Sequence, residues 1–261
     1  MRSVERLQYL LSKAVKDKFV SIPNSARELK VSVETIRRDI NILCSQKRLK
    51  KVHGGAVPIQ VPIKKDPAYA QRLRANPQGK EAIAAEAAKL VKNGDVVTLD
   101  GGATAMLVAQ HITGVNNVTF VVNSLYIANI LADKLESGEI TGTLIMLGGQ
   151  IKLSTRATDC SYLMEQLDKF HFDICFASAS AVSSAGVSNT TMSGVYVGKM
   201  LDHSAMRVLV VDSDKLGGTS TYRYANATDF DYIITDDQKQ VPQDLIELLE
   251  GTDTKIIAVH I

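Results

Sequence analysis

Residues 31–40 read Val-Ser-Val-Glu-Thr-Ile-Arg-Arg-Asp-Ile, and this stretch decides the fold expected for the N-terminal part of the chain. Ser32 is a good N-cap, because its hydroxyl can accept a backbone N–H of the following turn. Ile36, Ile40 and Leu43 then recur at four- and three-residue steps, which places them on one face of a helix. The opposite face carries hydrogen-bonding side chains that can reach bases and phosphates: Glu34, Thr35, Arg37, Arg38 and Asn41. The pattern predicts either a recognition helix for the major groove of DNA or an ordinary amphipathic surface helix.

The segments on both sides favour DNA recognition. Two helical segments precede this helix, one capped by Ser3 and one that begins near Ser21 and ends about Leu29, so only a short turn separates the second from Ser32. After it, residues 47–57 combine cations with a Gly-Gly turn, which predicts a basic β-hairpin. Three helices and a basic hairpin make a winged helix-turn-helix in residues 1–57. We expect Ser32 and the outer face of the helix to meet DNA, with the wing residues Lys50, Lys51 and His53 against its backbone.

The charge distribution supports this interpretation. Residues 1–57 hold 13 Lys and Arg against 5 Asp and Glu, a net charge of +8, so the other 204 residues carry 17 against 23, a net charge of −6. A basic module joined to an acidic body is the footprint expected of a protein that binds a polyanion. A solvated basic face on an unrelated small domain is the alternative.

Two linked motifs in this region resemble a known family. Thr35–Ile40 (Thr-Ile-Arg-Arg-Asp-Ile) followed by Val52–Ala56 (Val-His-Gly-Gly-Ala) is similar to the two-part N-terminal signature of the DeoR family of bacterial transcriptional regulators. One departure is Ser25 in the second helix, where the family usually has leucine. The resemblance implies a DNA-binding regulator whose partner is double-stranded operator DNA.

Composition excludes several classes of protein. Hydrophobic residues make up 45% and charged residues 22% of the 261 positions, which is ordinary for a soluble globular protein. No apolar run approaches the length of a membrane span, and the N-terminus lacks the apolar stretch of a signal peptide. We therefore expect a cytoplasmic, nucleoid-associated bacterial protein without membrane contact. Cys44, Cys160 and Cys175 are far apart and odd in number, which predicts reduced thiols, with neither a metal nor a cofactor.

A proline-rich segment marks the predicted domain boundary. Pro58, Pro62, Pro67 and Pro77 are four of the six prolines in the chain. Their density predicts a linker over residues 58–78, with at most a short helix over Asp66–Ala75. Residues 79–261 then form the second domain.

The second domain shows short apolar runs separated by helical periods. Continuous apolar strands that alternate with helices predict a largely parallel α/β sheet covered on both faces. The predicted strands are 96–99, 118–122, 144–147, 174–176, 208–211, 232–234 and 256–259, and the predicted helices are 80–92, 104–111, 125–135, 159–170, 195–205 and 242–250.

Small polar residues, glycines and lysines cluster after these strands, where ligands bind in such sheets. Glycine turns that lead into helices let backbone N–H groups approach an anion, although such turns are often only structural. No Gly-x-Gly-x-x-Gly follows a strand, which disfavours a dinucleotide. The predicted effector site comprises Asp100, Gly101, Gly102, Ala103, Thr104, Asn123, Ser124, Gly149, Lys152, Lys199, Asp212 and Lys215.

The same strand ends resemble the effector domain of the DeoR family, which has the fold of ribose-5-phosphate isomerase. The similar segments are Asp100–Thr104, Val122–Asn123, Gly148–Gly149 and Asp212–Lys215. The resemblance implies a repressor of a carbohydrate-utilisation operon that binds a phosphorylated sugar. Three departures point to a changed ligand or weaker phosphate binding: Ala103 and Val122 each remove a hydroxyl, and Asp214 adds a negative charge.

Three functions are consistent with these features. The first is a ligand-controlled transcription factor that has no enzymatic activity, and the second is a phosphosugar isomerase-like enzyme with Asp100, Asp212 or Asp214 as its base. The third is an architectural DNA binder whose second domain only oligomerises. The basic charge of residues 1–57 and the predicted recognition helix favour the ligand-controlled transcription factor. Because a single winged helix makes a small contact with DNA, we also expect a homo-oligomer, either a dimer or a tetramer.

Overall fold

The structure, a computed structural model, describes residues 3–46, 48–58, 69–153, 155–158, 161–190 and 193–261. The chain forms two compact units, residues 1–61 and 62–261.

The first unit is a winged helix-turn-helix, as the sequence predicts. Its helices are α1 (Ser3–Asp17), α2 (Ile22–Leu29) and α3 (Val33–Ser45), and its strands are β1 (Val20–Ser21), β2 (Leu49–Val52) and β3 (Gly55–Pro58). The strands form an antiparallel sheet in the order β1-β3-β2, so the predicted two-stranded wing gains a third strand from the segment before α2. Leu10 of α1, Leu49 of β2 and the predicted inner face of α3 form the buried core.

Local chemistry explains the turn between α2 and α3. The Ser21 and Ser32 hydroxyls accept N–H groups of the helices that follow them, at 3.4 Å from Asn24 N and 3.1 Å from Thr35 N. Lys30 ends α2 in the left-handed conformation with φ 51°, which reverses the chain within two residues. The sequence therefore encodes both caps of the helix-turn-helix.

Gly55 allows the first strand to join the wing. A Cβ added at this position would lie 2.0 Å from the Val20 carbonyl oxygen, so only glycine permits β1 and β3 to pair this closely. The turn lies at His53 and Gly54, one residue before the predicted Gly54-Gly55 turn, because Gly55 begins β3; Gly54 has φ 76°.

The second unit is a three-layer α/β/α domain around a seven-stranded parallel sheet in the order β15-β14-β12-β9-β4-β5-β6. These strands are β4 (Val96–Leu99), β5 (Val118–Val122), β6 (Gly142–Met146), β9 (Phe172–Ala177), β12 (Ser204–Val210), β14 (Tyr232–Asp236) and β15 (Lys255–Val259). The helices are α4 (Tyr69–Arg74), α5 (Pro77–Ala88), α6 (Ala103–His111), α7 (Leu125–Glu136), α8 (Ser161–Leu167), α9 (Ser193–Asp202) and α10 (Gln243–Leu249). The predicted parallel α/β domain is confirmed.

Alternation along the strands builds a core on each face of the sheet. Phe176 and Val210 pack with α5, α6 and α7, whereas their neighbours Cys175 and Leu209 pack with α8, α9 and α10. Strand β4 pairs with β5 on one side and with β9 on the other, so the chain order reverses its direction at β4. A crevice beyond the carboxyl ends of β4 and β9 is the expected place for a ligand.

Two short sheets complete the second unit, and the sequence analysis missed both. Strands β10 (Ala181–Ser183), β11 (Gly186–Asn189) and β13 (Tyr222–Ala225) form one sheet, while β7 (Ile151–Lys152) and β8 (Ala157–Thr158) form the other. These strands have two to four residues, which is too short for a hydrophobic period to be visible.

The structure also differs from the predicted linker and from one predicted helix start. Residues 69–78, assigned to the linker, contain α4, which confirms the short helix expected within Asp66–Ala75, and the start of α5. Pro77 begins α5 instead of breaking it, because an N–H group in the first turn of a helix has no intrahelical acceptor and proline can omit it without loss. Asn76 caps the helix by accepting Gly79 N–H at 3.0 Å. Asp159, the predicted start of the helix observed as α8, lies outside the described residues.

Candidate functional site

The predicted DNA-binding residues share one exposed region of the first unit. Thr35 is half-buried, and the other members of the predicted set on α3 and the wing are exposed. Lys51 Nζ donates to Asn41 Oδ1 at 3.3 Å, so the wing and α3 present adjoining surfaces. Ser32 Oγ is engaged in the helix cap and lies 2.8 Å from Thr35 Oγ1. The individual DNA contacts of these residues stay predictions.

A buried ion pair fixes α3 against α1. Asp39, on the inner face of α3, is 2% exposed and accepts two hydrogen bonds from the Arg6 guanidinium, one of them from Nη2 at 3.1 Å. A bidentate pair of this kind is directional, so it sets the orientation of α3 as well as its position. The sequence analysis placed Asp39 in a motif and gave it no role.

In the second unit, Asp100 joins the loops that follow β4 and β9. Its Oδ1 accepts Gly102 N–H at 2.8 Å, and its Oδ2 accepts Ser178 N–H at 2.8 Å and the Ser178 hydroxyl at 2.7 Å. Burial raises the pKa of Asp100, and the hydrogen bonds from Ser178 and Gly102 and the charge of Arg72 oppose that rise. Asp100 belongs to the predicted effector site, and its carboxylate holds the two loops of the crevice together.

A cavity of about 400 Å³ lies at the N-terminus of α6; we call it the anion cavity. Its wall includes Gly102, Ala103 and Thr104, at the end where the first N–H groups of a helix have no intrahelical acceptor. Three cations also line it: Arg72, Lys80 and Lys215. Helix N–H groups and cations that converge on one cavity are suited to bind a phosphate.

Buried acids position the cation of α5. Lys80 is 3% exposed, and its Nζ lies 3.0 Å from Asp212 Oδ2. Asp236 accepts Ser213 N–H at 2.9 Å and Asn76 Nδ2 at 3.0 Å, which ties the turn after β12 to the cap of α5. Burial acts to raise the pKa of Asp236, but its hydrogen bonds, led by Ser213, outweigh burial and lower it. Asp212, a predicted effector residue, lines the anion cavity and is the ion-pair partner of Lys80.

A smaller cavity, of about 110 Å³, adjoins the first; we call it the hydroxyl cavity. Asn123, 6% exposed, lines it and donates from Nδ2 to the Thr158 carbonyl at 3.1 Å, and no described residue donates to its Oδ1. Gly101 and Lys152, two other predicted residues, also line it. A buried amide oxygen and a lysine can accept from and donate to the hydroxyls of a sugar.

Four residues line both cavities: Arg72, Gly102, Ser178 and Asn189. Asn189 Oδ1 accepts Ser180 N–H at 3.0 Å, which fixes the orientation of the amide. Except for Gly102, none of the four was predicted, and neither was Lys80. The serine-rich loop after β9 was the available signal for Ser178, while Asn189 and Arg72 follow no predicted strand.

The structure does not bring three predicted residues to either cavity. Gly149 is exposed, in a turn held by Gln166, whose Oε1 accepts Gly148 N–H at 3.0 Å. Lys199 faces another groove, where its Nζ lies 2.6 Å from Asp168 Oδ1. Ser124 is fully buried at the start of α7. Proximity to a strand end does not establish that a side chain reaches the crevice.

Within the described residues, no helix is long and apolar enough to cross a membrane. The same residues contain no group of His, Cys, Asp and Glu side chains that could hold a metal ion. Cys175 is buried and Cys44 half-buried, both as free thiols, and Cys160 lies outside the described part of the chain.

Comparison with known proteins matches both units. The family model of the DeoR C terminal sensor domain matches residues 75–237, and that of the DeoR-like helix-turn-helix domain matches residues 6–60. The HTH-type transcriptional repressor GlcR of Bacillus subtilis is 30% identical over 90% of this chain and 89% of its own length. The lactose phosphotransferase system repressor of Streptococcus mutans is 28% identical over 91% and 94% of the two chains. Among solved structures, ribose 5-phosphate isomerase A of Methanocaldococcus jannaschii is 23% identical, covers 54% of this chain and 55% of its own, and has a TM-score of 0.37.

Proposed function

The chain belongs to the DeoR family of transcriptional regulators, and from this premise we propose that it represses a carbohydrate-utilisation operon under the control of a phosphorylated sugar. Membership of this family implies a regulator with a DNA-binding unit and a small-molecule sensor unit. Repression and sugar metabolism are supported by the names of the relatives in Bacillus subtilis and Streptococcus mutans.

The anion cavity is the observation that carries the proposal. It combines the N-terminus of α6 with Arg72, Lys80 and Lys215. The acids Asp212 and Asp214 also line it, and they are ion-paired with Lys80 and Lys239, at 3.0 Å and 2.5 Å. Lys215 and the α6 N–H groups are therefore groups of this cavity that can bind a phosphate.

The hydroxyl cavity supports a sugar as the rest of the ligand. Asn123 Oδ1 needs a donor, and Asn189 and Lys152 add groups that can donate. A buried acceptor that stays unpaired costs free energy, so a ligand hydroxyl that donates to Asn123 would be favoured over a hydrogen or a methyl group at that position. The two cavities adjoin, which supports one ligand with a phosphate at one end and hydroxyls at the other.

The same acids argue against the alternative of a phosphosugar isomerase-like enzyme. Proton abstraction needs a carboxylate that can approach the substrate with its lone pair. Asp100 is engaged by Gly102 and Ser178, Asp212 by Lys80, and Asp214 by Lys239. Asp100 and Asp212 are therefore buried and committed to structural contacts, whereas the pair of Asp214 and Lys239 is largely exposed.

We also propose that the protein acts as a homo-oligomer on DNA. A single winged helix buries little surface, and a symmetric dimer doubles the half-sites that it can bind. Sedimentation at micromolar concentration is expected to give a species heavier than the 28.3 kDa chain. A monomer both with and without DNA contradicts this part of the proposal.

The central test is a DNA-binding titration with the purified full chain. The DNA is a duplex selected by the protein from a random library, and the ligands are hexose monophosphates, pentose monophosphates, the corresponding free sugars and inorganic phosphate. We expect one sugar phosphate, and not its free sugar, to change the affinity for the duplex without being consumed. Conversion of the ligand would support the enzyme, and DNA binding that no ligand alters would support an architectural role.

A further inference from the structure

Arg72 occupies a particular position in both the chain and the site. It lies on α4, the first described helix of the second unit along the chain, and it lines both the anion cavity and the hydroxyl cavity. The other cations of the cavities lie on α5, on β7 or in the turn after β12, farther along the chain. Among the described residues, Arg72 is thus the cation that joins the ligand site to the segment leading to the DNA-binding unit.

We propose that Arg72 transmits occupancy of the ligand site to the DNA-binding unit by anchoring α4 to the bound phosphate. The proposal rests on the proposed function, since it requires that a phosphorylated ligand binds in these cavities. It adds the residue through which that ligand alters DNA affinity.

The length of α4 makes it suited to respond to a ligand. A helix of six residues is far too short to be stable by its own hydrogen bonds, so its position depends on its contacts with the rest of the unit. Helix α4 packs against α6, whose N-terminus forms part of the anion cavity. A phosphate that contacts both that N-terminus and the Arg72 guanidinium would therefore strengthen the attachment of α4 to α6.

The guanidinium is the appropriate group for this role. It is planar and can bind two phosphate oxygens at once, so it fixes direction as well as distance. Its charge already acts on the loop after β4, because Arg72 opposes the rise in the pKa of Asp100 that burial causes. Ligand binding can change DNA affinity only if the ligand binds one arrangement of the protein better than another. Contact between Arg72 and the ligand supplies such a difference in ligand affinity, because it favours the arrangement in which α4 is held against the site.

Lys215 provides a matched comparison within the same cavity. It ends the short 3-10 helix Ser213–Lys215, and Ser213 is hydrogen-bonded to the buried Asp236. Lys215 therefore belongs to a turn fixed to the sheet, away from the connecting segment. Loss of either cation should weaken phosphate binding, but only loss of Arg72 should uncouple binding from the DNA response.

The experiment measures binding and coupling separately in the wild type, Arg72→Gln and Lys215→Gln. Ligand affinity is measured by calorimetry with the sugar phosphate that changes wild-type operator affinity. Coupling is the ratio of the operator dissociation constants with saturating ligand and without it, each variant being compared with its own ligand-free value. We expect a wild-type ratio of about 5- to 150-fold in either direction. Lys215→Gln should reach the wild-type ratio once ligand is saturating, whereas Arg72→Gln should stay within about twofold of no response.

Hydrogen exchange gives an independent readout of α4. Ligand should slow amide exchange in residues 69–74 in the wild type and in Lys215→Gln, and not in Arg72→Gln. If Arg72→Gln shows the wild-type coupling ratio at saturating ligand, this inference is overturned and the proposed function is left intact. If no sugar phosphate changes the operator affinity of the wild-type protein, the proposed function fails, and the inference fails with it.

Discussion

The Gly102→Ala substitution tests how the loop between β4 and α6 is built. A Cβ at Gly102 would lie 2.0 Å from Ser178 Oγ, 2.7 Å from Ser178 Cβ and 2.8 Å from Asp100 Oδ1. The Ser178 hydroxyl must therefore rotate away, and the loop backbone must also shift, because rotation leaves Ser178 Cβ in place. Rotation removes the hydrogen bond that this hydroxyl donates to the buried Asp100 carboxylate at 2.7 Å. Hydrogen bonds to charged groups contribute about 1.5–3 kcal/mol. We therefore expect Gly102→Ala to lower the free energy of unfolding of the second unit by about 2 kcal/mol.

Gly101→Ala is the control, because the neighbouring glycine has room for a side chain. A Cβ there would lie 3.6 Å from Ala157 Cβ and 3.8 Å from Ser124 Cβ, both ordinary contacts, and Gly101 is absent from the residues with positive φ. Its effect on stability should stay within about 0.5 kcal/mol.

Urea unfolding followed by tyrosine fluorescence can separate these two variants. The chain has no tryptophan, and all of its eight tyrosines except Tyr9 lie in the second unit, so the signal reports mainly on that unit. Equal transition midpoints for Gly102→Ala and Gly101→Ala would refute the assignment of Gly102 as a position closed by Ser178.

Three further outcomes follow from particular contacts. Lys51→Ala should weaken binding to all DNA sequences alike and lower by about one unit the slope of log affinity against log salt concentration. Arg38→Ala, if this residue reads a base, should cost about 1–3 kcal/mol of binding free energy, mainly against the selected operator. Titrations at several salt concentrations distinguish the two effects, and the assignment of the DNA face is wrong if neither variant binds DNA more weakly. Lys80→Met leaves the buried Asp212 carboxylate without its cation and should destabilise the second unit by about 3–5 kcal/mol, measured by urea unfolding, and a loss below about 1 kcal/mol would show that the ion pair is dispensable. Because the folded-state pKa of Asp236 is lowered, its ionised form stabilises the protein above the unfolded pKa of about 4, and that contribution is lost as the pH falls through the folded pKa. Asp236→Asn should therefore show a smaller loss of stability than the wild type between neutral pH and pH of about 3, and parallel stability curves would contradict this.

The sequence by itself determined the classes of structure in both units. Caps and apolar periods are local, so Ser21, Ser32 and the Ile36–Ile40–Leu43 face identified α2 and α3 correctly. Continuous apolar runs likewise located all seven strands of the parallel sheet, because a strand buried on both faces needs apolar residues throughout. The ends of the predicted and observed strands differ by up to four residues. The strand-to-helix turn at Asp100–Thr104 was also visible in the sequence, because its two glycines directly follow an apolar run.

Only the tertiary structure decided which polar residues meet. Strand order places the loops after β4 and β9 side by side, and this brings Ser178 to Asp100 across 78 residues of sequence. Arg72 and Asn189 enter the cavities from elements outside the predicted strands, whereas Lys199 lies on a predicted helix and faces another groove. A local pattern specifies the element on which a residue lies and the face it occupies. The neighbours of that face depend on the order in which distant strands pair, which no local pattern contains.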